Sequence, residues 1–355
     1  MPNSQTLTVA HVNLSKSNGA AERQTILLIK YLAALGVKQA LVCRDTSQIA
    51  MTLRKIPNLS FVRISGSDVL MQGHIKLGKR FAVVHAHDVT GAKWSFLHYL
   101  MFATPYVIST RDQEIENDGI LTKAIFLWAK AVVASTDGAA YKIHKDFELE
   151  KVRVIPSCIS ELNTQWQNVE NIRASLSNRF IVGQVAPLIN RKYCQTLLID
   201  AARILQQKIP AIVVLFIGEG DNKVLVEYAR EMSNVRFVDP KFQVLGDYIK
   251  AMDVFVCPVN GGGSMTIQTV LDALDLNVPV VTTDFPGIKT YVEDGRSALV
   301  VPRGDAQALA DAILRIRDDV GLRNMLKENG KLEAQKLAPE IMSMQYYDLY
   351  RALLA

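Results

Sequence analysis

The chain has few cysteines and no long apolar run. Its four cysteines, Cys43, Cys158, Cys194 and Cys257, lie far apart, without the close spacing of a zinc site. They fall in or beside apolar stretches, which indicates reduced, buried thiols and a cytoplasmic location. No apolar segment is long enough to span a bilayer. The first residues show no basic region followed by a long apolar core, so we expect no signal peptide.

Charge is spread unevenly over the 355 residues. Charged residues make up 21% of the chain and apolar residues 49%, which is typical of a soluble globular protein. Residues 1–160 hold 19 Lys and Arg against 12 Asp and Glu, a net charge of +7, whereas the rest carries −2. The basic half suits an anionic partner, such as a lipid surface or a phosphorylated acceptor, or it serves solubility alone. No basic and aromatic motif accompanies it, so we expect no nucleic-acid binding.

Short apolar segments alternate with helical patterns in both halves. This alternation predicts parallel sheets covered by helices on both faces. The strands predicted are 7–14, 39–44, 61–64, 82–87, 106–110, 131–135, 152–155, 180–186, 212–218, 235–238, 254–256 and 280–283. The polar stretch 160–179 has no strand pattern and predicts a domain boundary. We therefore expect an N-terminal domain of residues 1–165, a second domain of residues 166–338 and a final helix of residues 339–355.

The most informative stretch runs from residue 251 to 305. An apolar strand ends before Pro258, glycines follow at 261–263, and a helical pattern from Ser264 ends at Asn277 and Pro279. Strand, glycine turn, helix and strand make a parallel βαβ unit. Glycines let the backbone approach a ligand closely, and the amides at the start of the helix suit a phosphate. An ordinary turn of a doubly wound domain would carry similar glycines.

The ordered motifs of this stretch resemble the donor half of a family 4 glycosyltransferase. They are Asp253, Pro258, the glycine turn, Asp272-Ala273, Val278–Val281, Asp284, Gly287, Asp294-Gly295 and Pro302–Asp305. The resemblance implies the GT-B fold, in which two Rossmann-like, doubly wound domains face a central cleft. It implies transfer with retention of anomeric configuration and without a metal. It also implies that helix 339–355 crosses back to the N-terminal domain on an apolar stripe of Met342, Tyr346, Tyr347, Tyr350 and Leu353.

The same resemblance assigns residues to the nucleotide-sugar donor. Backbone amides at the helix start would hold the diphosphate, Asp272 would accept the ribose hydroxyls, and Lys192 with Arg191 would supply positive charge. Ser264 replaces a glutamate of the family pattern and Gln184 replaces an arginine, and Arg111 in the first half is a third departure. The donor-binding residues predicted are Gly19, Arg191, Lys192, Gly218, Val238, Gly262, Gly263, Ser264, Met265, Thr266 and Asp272.

Two strand ends in the first half carry further candidates. His85 and His87 alternate and share a face, which allows a metal site, a contact with acceptor or donor sugar, or structural histidines. Arg111 stands where the family often has a histidine. It would bind a sugar carboxylate or an acceptor phosphate, or pair with a neighbouring acid. The resemblance predicts His87, Arg111 and Lys192 as the catalytic residues, with no metal.

The sequence therefore predicts a retaining glycosyltransferase. It would transfer a sugar from a nucleotide-diphosphate sugar to a glycan or lipid-linked acceptor, in cell-envelope polysaccharide or lipopolysaccharide biosynthesis. We expect no cofactor beyond the donor, and a place in the cytoplasm or at the inner face of the cytoplasmic membrane. The departures at Ser264, Gln184 and Arg111 leave open an inactive homologue that acts as a binding or regulatory subunit. A nucleotide-sugar epimerase on the same fold is a third alternative.

Overall fold

The chain forms two compact units. The computed structural model describes residues 7–16, 19–111, 119–150, 152–188, 194–239, 244–260 and 264–355. Unit 1 contains residues 1–158 and 338–355, and unit 2 contains residues 159–337. The chain thus passes between the units at residues 158–159, a few residues before the boundary expected from the polar stretch. The last helix belongs to unit 1.

Unit 1 is built on a seven-stranded parallel sheet in the order β3-β2-β1-β4-β5-β6-β7. All seven strands were predicted from the sequence, with ends that differ by at most two residues. The strands are β1 Thr8–Asn13, β2 Lys38–Arg44, β3 Leu59–Ile64, β4 Val83–Ala86, β5 Tyr106–Thr110, β6 Ala131–Ala134 and β7 Arg153–Val154. Strand order reverses between β1 and β4, so the topological switch point of this sheet lies there.

Helices cover both faces of the unit 1 sheet. The helices of unit 1 are α1 Ala20–Ala34, α2 Gln48–Thr52, α3 His74–Leu77, α4 Val89–Phe102, α5 Ile120–Leu127, α6 Asp137–Phe147 and α14 Pro339–Leu354. The C-terminal helix α14 packs with α1 on one face, where Met342, Tyr346 and Tyr350 are buried against strand residues such as Val83 and Val107. Tyr347 and Leu353 pack at the margin of this cluster. The stripe read from the sequence is therefore the buried side of the helix.

Unit 2 is built on a six-stranded parallel sheet in the order β10-β9-β8-β11-β12-β13. Its switch point lies between β8 and β11. The strands are β8 Phe180–Val185, β9 Ile212–Ile217, β10 Val235–Val238, β11 Val254–Cys257, β12 Val280–Thr283 and β13 Leu299–Val301. The helices are α7 Trp166–Ser175, α8 Gln195–Lys208, α9 Lys223–Tyr228, α10 Leu245–Ala251, α11 Ser264–Asp275, α12 Ala306–Asp318 and α13 Val320–Gln335, with a 3-10 turn at Ile288–Thr290.

Helix α11 ends where the sequence predicted. Asn277 adopts a left-handed conformation (φ +60°), its N–H donates to Leu274 O at 3.0 Å, and the Val278 N–H donates to Ala273 O at 2.9 Å. These paired bonds satisfy the last carbonyl groups of the helix. Pro279 then leads directly into β12.

Four helices and strands of unit 2, namely α7, α9, α13 and β13, were not predicted. Helix α7 lies in the polar stretch and buries only Val169, so it has no apolar stripe that a sequence reading could detect. Helix α13 contains Gly330, which weakens a helical pattern. A Cβ at this glycine would lie 2.8 Å from the Leu274 side chain, so close packing against α11 explains it. Strand β13 has only three residues, too few to show a pattern.

The four cysteines, all within the described residues, are buried thiols without disulfide bonds, as expected. Among the residues that the structure describes, none of the helices combines the length and apolar character of a membrane span.

Candidate active site

Both sheets bring polar side chains to their carboxyl ends near a switch point. Ligands of open α/β sheets bind at this place, because the loops after the two neighbouring strands separate there. In unit 1 the relevant positions follow β1, β4 and β5. In unit 2 they follow β8 and β11. The two sets are described separately.

In unit 1, polar residues replace apolar ones toward the end of one sheet face. Strand pairing places Val12 beside Ala86, and Ala86 beside Ile108. Side chains alternate between faces along a strand. The odd-numbered residues of β1, β4 and β5 therefore share the face that α1 and α14 cover. Its polar members are His11, Asn13, His85, His87, Ser109 and Arg111, all buried.

The three histidines belong to two hydrogen-bonded groups, one with Gln39 and one with Tyr350 and Ser109. His11 Nδ1 lies 2.9 Å from His87 Nε2, and His11 Nε2 lies 2.9 Å from Gln39 Oε1. His85 Nδ1 lies 2.6 Å from the Tyr350 hydroxyl, and its Nε2 lies 2.7 Å from Ser109 Oγ. Their ligand atoms lie within 4.8 Å of one another, which is close enough for a metal. Five of the six ring nitrogens already have hydrogen-bond partners, however, and this favours the hydrogen-bonded groups over a metal centre.

Burial keeps these rings neutral. It lowers the pKa of His11 to about 4, although the hydrogen bond with Gln39 opposes this change. Burial also lowers the pKa of His85 and His87 well below the usual value, and the positive charge of Arg111 adds to the effect. A buried neutral imidazole has one N–H and one lone pair, so each ring has a donor side and an acceptor side.

Arg111 is a buried cation at the end of β5. Its Nη1 donates to Gln24 Oε1 at 3.1 Å, while Nε and Nη2 have no partner within the described residues. Gln24 also bonds both backbone groups of Cys158, accepting from N at 2.9 Å and donating to O at 2.7 Å. The neighbouring acids considered from the sequence, Asp112 and Glu114, lie outside the described residues. His85 and His87 share a sheet face, as their spacing predicted, and Arg111 lies on the same face; the catalytic role of His87 and Arg111 stays a prediction.

Two acidic side chains near this face hold helix starts. Asp88, at the N-cap of α4, accepts from the backbone N–H of Leu14 at 2.7 Å and of Gly91 at 2.9 Å. Glu22, in the first turn of α1, accepts at 2.8 Å from the N–H of Gly19, the residue directly before this helix. The Gly19 amide therefore already has an anionic partner. A donor phosphate at this turn would meet the carboxylate of Glu22, and the assignment of Gly19 to the donor stays a prediction.

In unit 2, helix α11 starts beside the switch point. Gly262 and Gly263 lie outside the described residues, as do the side chains of Ser264 and Met265. The strand that leads to them is held by β12, because Thr283 Oγ1 donates to Val259 O at 2.6 Å and Thr282 Oγ1 to Cys257 O at 3.1 Å. Thr266, in the first turn of α11, is buried, and its hydroxyl has no partner within the described residues.

Gly218 has a packing reason to be glycine. A Cβ there would lie 2.0 Å from Ala186 O, since the end of β9 approaches the end of β8. The Gly218 N–H donates to Val238 O at 3.0 Å, and the Leu188 N–H donates to Glu219 O at 2.9 Å. The turns after β8, β9 and β10 are thereby joined. Val238 closes β10, and residues 240–243, which follow it, lie outside the described residues.

The two predicted cations, Arg191 and Lys192, also lie outside the described residues. A third cation was missed. Arg303 Nη1 donates to Asn260 O at 3.1 Å, directly before the glycine turn. The signal was available in the Pro302–Asp305 motif, but a cation so far along the chain reaches the turn only through the pairing of β12 with β13.

Asp272 lies inside unit 2. Its side chain accepts from the Ser160 N–H and Oγ, each at 3.0 Å, and from Gln268 Nε2 at 3.1 Å. Burial raises the pKa of Asp272 to about 6, and these hydrogen bonds limit the rise. The carboxylate thus fixes the chain just after it enters unit 2. Its assignment to the ribose stays a prediction.

Comparisons with known proteins identify the chain. Residues 179–319, from β8 through α12, match the family described as Glycosyl transferases group 1. The D-inositol 3-phosphate glycosyltransferase of Corynebacterium urealyticum is 26% identical over 83% of this chain and 74% of its own length. The lipopolysaccharide core biosynthesis glycosyltransferase LpsE of Rhizobium meliloti is 25% identical over 98% of this chain and 99% of its own.

A solved structure shows the same fold. Anabaena Alr3699/HepE, in complex with UDP-glucose, superposes with a TM-score of 0.80 at 17% identity, covering 98% of this chain and 100% of that one. The predicted GT-B fold and the predicted class of enzyme are both confirmed. Residues 179–319 match the group 1 glycosyl transferases, and the protein is a glycosyltransferase.

Proposed function

We propose that the protein transfers a sugar, with retention of anomeric configuration, from a nucleotide-diphosphate sugar to a glycan or lipid-linked acceptor. The observation that carries the proposal is the start of α11. A helix of 12 residues begins beside the switch point of unit 2, directly after three glycines, and the buried Thr266 hydroxyl in its first turn has no partner within the described residues. Amides at such a helix start, with a hydroxyl beside them, suit a diphosphate.

Transfer leaves negative charge on the departing diphosphate. Positive groups placed beside it stabilise the transition state more than the bound donor. Lys192 and Arg191 are our candidates for this charge, and Arg303, bonded to the carbonyl before the glycine turn, is a third. In unit 1, His87 and Arg111 would contact the transferred sugar or the acceptor. The donor phosphate itself would take the acceptor proton, so the proposal needs no strong base.

The comparisons favour a role in polysaccharide assembly. LpsE is named for lipopolysaccharide core biosynthesis, and the HepE structure contains UDP-glucose. We therefore propose a nucleotide-sugar donor of this kind and an acceptor in cell-envelope polysaccharide or lipopolysaccharide biosynthesis. A basic unit 1 further suggests that the enzyme works at the inner face of the cytoplasmic membrane.

A thermal-shift screen across nucleotide sugars tests the donor. A ligand that binds only the folded protein raises its melting temperature, and the rise grows with the logarithm of the ligand concentration relative to its Kd. We expect one nucleotide-sugar family to raise it clearly more than the others, and the same donor to support transfer. NMR of the product formed first should show the anomeric configuration of the donor. An inverted product, or no response to any nucleotide sugar, would contradict the proposal.

Lys192→Ala tests the leaving-group charge. We expect kcat to fall at least tenfold, which corresponds to about 1.4 kcal/mol, while donor affinity changes less. Lys208→Ala is the matched control. Lys208, the last residue of α8, is an exposed lysine of unit 2 whose Nζ lies 3.8 Å from Asp311 Oδ1. Equal turnover in both variants would remove Lys192 from the catalytic set.

A further inference from the structure

One chain of hydrogen bonds fixes which nitrogen of His87 carries its proton. Gln39 Nε2 donates to Ile29 O at 3.0 Å, and a carbonyl oxygen can only accept. The amide of Gln39 is therefore oriented with its Oε1 toward His11, 2.9 Å from Nε2. This oxygen also only accepts, so His11 carries its proton on Nε2.

The same reasoning continues to His87. Because His11 is neutral and protonated on Nε2, its Nδ1 has a lone pair and accepts. The partner of Nδ1 is His87 Nε2, at 2.9 Å, which must therefore donate. A neutral His87 protonated on Nε2 has a lone pair on Nδ1. This nitrogen is buried and has no partner within the described residues.

We propose that Gln39 and His11 are positioning residues that hold His87 Nδ1 as an acceptor for a hydroxyl group of the sugar or acceptor substrate. The proposal rests on the proposed function and specifies what unit 1 recognises. Nδ1 lies at the carboxyl end of β4, beside the switch point. A buried acceptor left without a donor costs free energy, so a substrate hydroxyl that donates to it contributes to binding.

The lone pair on His87 Nδ1 also limits the chemical class of substrate that unit 1 can bind. Arg111 alone would suit a carboxylate or a phosphate, since its unpaired N–H groups are donors. A carboxylate accepts only, and beside His87 Nδ1 it would place one lone pair against another. A hydroxyl group can accept from Arg111 and donate to His87. A donor and an acceptor that follow two neighbouring strands on one sheet face therefore fit a neutral, hydroxylated sugar better than an acidic one.

The tautomers can be read directly by NMR. In the free protein labelled with ¹⁵N-histidine, the two-bond ¹H–¹⁵N spectrum at pH 7 should show both His11 and His87 protonated on Nε2. Spectra of His11→Gln and His87→Gln assign the signals. A His87 protonated on Nδ1, or a charged His87, would overturn the proposal. This measurement needs no substrate, so it stands whether or not transfer is found.

Variants of Gln39 test whether the chain of hydrogen bonds through His11 to His87 affects sugar transfer. Gln39→Leu removes the acceptor for His11, so the opposite tautomer becomes accessible to both rings. Gln39→Glu should keep the wild-type tautomers, because a protonated glutamic acid donates to Ile29 O and accepts from His11. Thr25→Val is the control. It removes a different polar group of unit 1, a hydroxyl that is hydrogen-bonded to Ala21 O and not to Gln39, His11 or His87.

We expect kcat/KM for sugar transfer to fall at least tenfold in Gln39→Leu and to stay within about threefold of wild type in Gln39→Glu and Thr25→Val. The affinity for the free nucleotide diphosphate should not change in any of them. Wild-type kcat/KM in Gln39→Leu, with the tautomer lost, would refute the positioning role. Lack of transfer in the wild-type protein would instead refute the proposed function, and the free-protein spectrum would still decide the tautomer.

Discussion

Asp272 is the residue whose surroundings differ most from those expected. A carboxylate that served only to bind the ribose would be dispensable for folding. The side chain is instead buried and accepts bonds from Ser160 and Gln268. Removing one partner of such a cluster leaves the others unsatisfied in the interior, which costs about 1–3 kcal/mol. An effect of Asp272→Ala on activity is therefore interpretable only beside a measurement of stability.

The pH dependence of Asp272→Asn provides a sharper measurement. Burial raises the pKa of Asp272 from 3.8 to about 6, so between these values the folded protein binds more protons than the unfolded chain. Stability from this group is therefore greatest below about pH 4 and falls as pH rises to about 6. The total change is on the order of 3 kcal/mol. The asparagine side chain of the variant does not titrate, so the free energy of unfolding of wild type minus variant should fall across this range.

Urea unfolding at pH 4.5, 5.5 and 7 measures this difference. Asp221→Asn is the control, because the Asp221 side chain is 71% exposed on the same unit. A constant difference between wild type and Asp272→Asn at all three values would show that Asp272 is not buried as described.

At the scale of elements, the turns after the strands of unit 2 depend on close backbone approach. Gly218 is the clearest case, since β9 reaches β8 only because no Cβ stands there. The segment it contacts, Ala186 to Leu188, leads directly toward Arg191 and Lys192 in sequence. Under the proposed function, the geometry of this turn would affect donor binding as well as folding.

Gly218→Ala should destabilise the protein by about 1–3 kcal/mol, because the new methyl group would lie 2.0 Å from a backbone oxygen and force the strands apart. We also expect weaker binding of the nucleotide-sugar donor. Gly138→Ala is the matched control, since no atom lies within 4 Å of its Cβ position in α6. That change should be neutral or slightly stabilising. Urea unfolding of both variants measures the difference in the free energy of unfolding. Equal stability of the two variants would contradict the close approach of Gly218 to Ala186.

At the scale of the whole molecule, basic charge and exposed apolar groups occur together in unit 1. Residues 1–160 carry a net charge of +7. The side chains of Ile75, Ile120 and Trp128, on or beside α3 and α5, are 90%, 91% and 53% exposed. Exposed apolar side chains beside lysines are typical of surfaces that meet anionic lipid.

Cosedimentation with vesicles tests this surface. We expect binding to anionic vesicles at low salt, at up to about 1 kcal/mol per well-placed Lys or Arg, and its loss as salt screens the charges. Ile120→Ser should weaken it several-fold, whereas Val224→Ser, a 73% exposed residue of unit 2, should not. Equal binding to neutral vesicles, or none at low salt, would count against membrane association.

Local sequence was enough for much of the fold. Residues 106–110, 235–238 and 280–283 were predicted with the bounds that the structure has, because short segments rich in β-branched and aromatic residues favour strands. The end of α11 could be read from Asn277 and Pro279, since helix termination depends on neighbouring residues. Helices α7 and α13 could not be predicted in this way, because α7 has almost no buried side and α13 contains Gly330.

The sequence by itself determined the family, the two parallel sheets and the strand ends at which the candidate residues lie. These depend on patterns within a few residues and on motifs in fixed order. Only the tertiary structure decided the partners of those residues. His11 and Gln39 lie on β1 and β2, His87 follows β4, and Asp272 meets Ser160 from 112 positions away. Burial, hydrogen-bond direction and proton position depend on such distant contacts, and no local pattern encodes them.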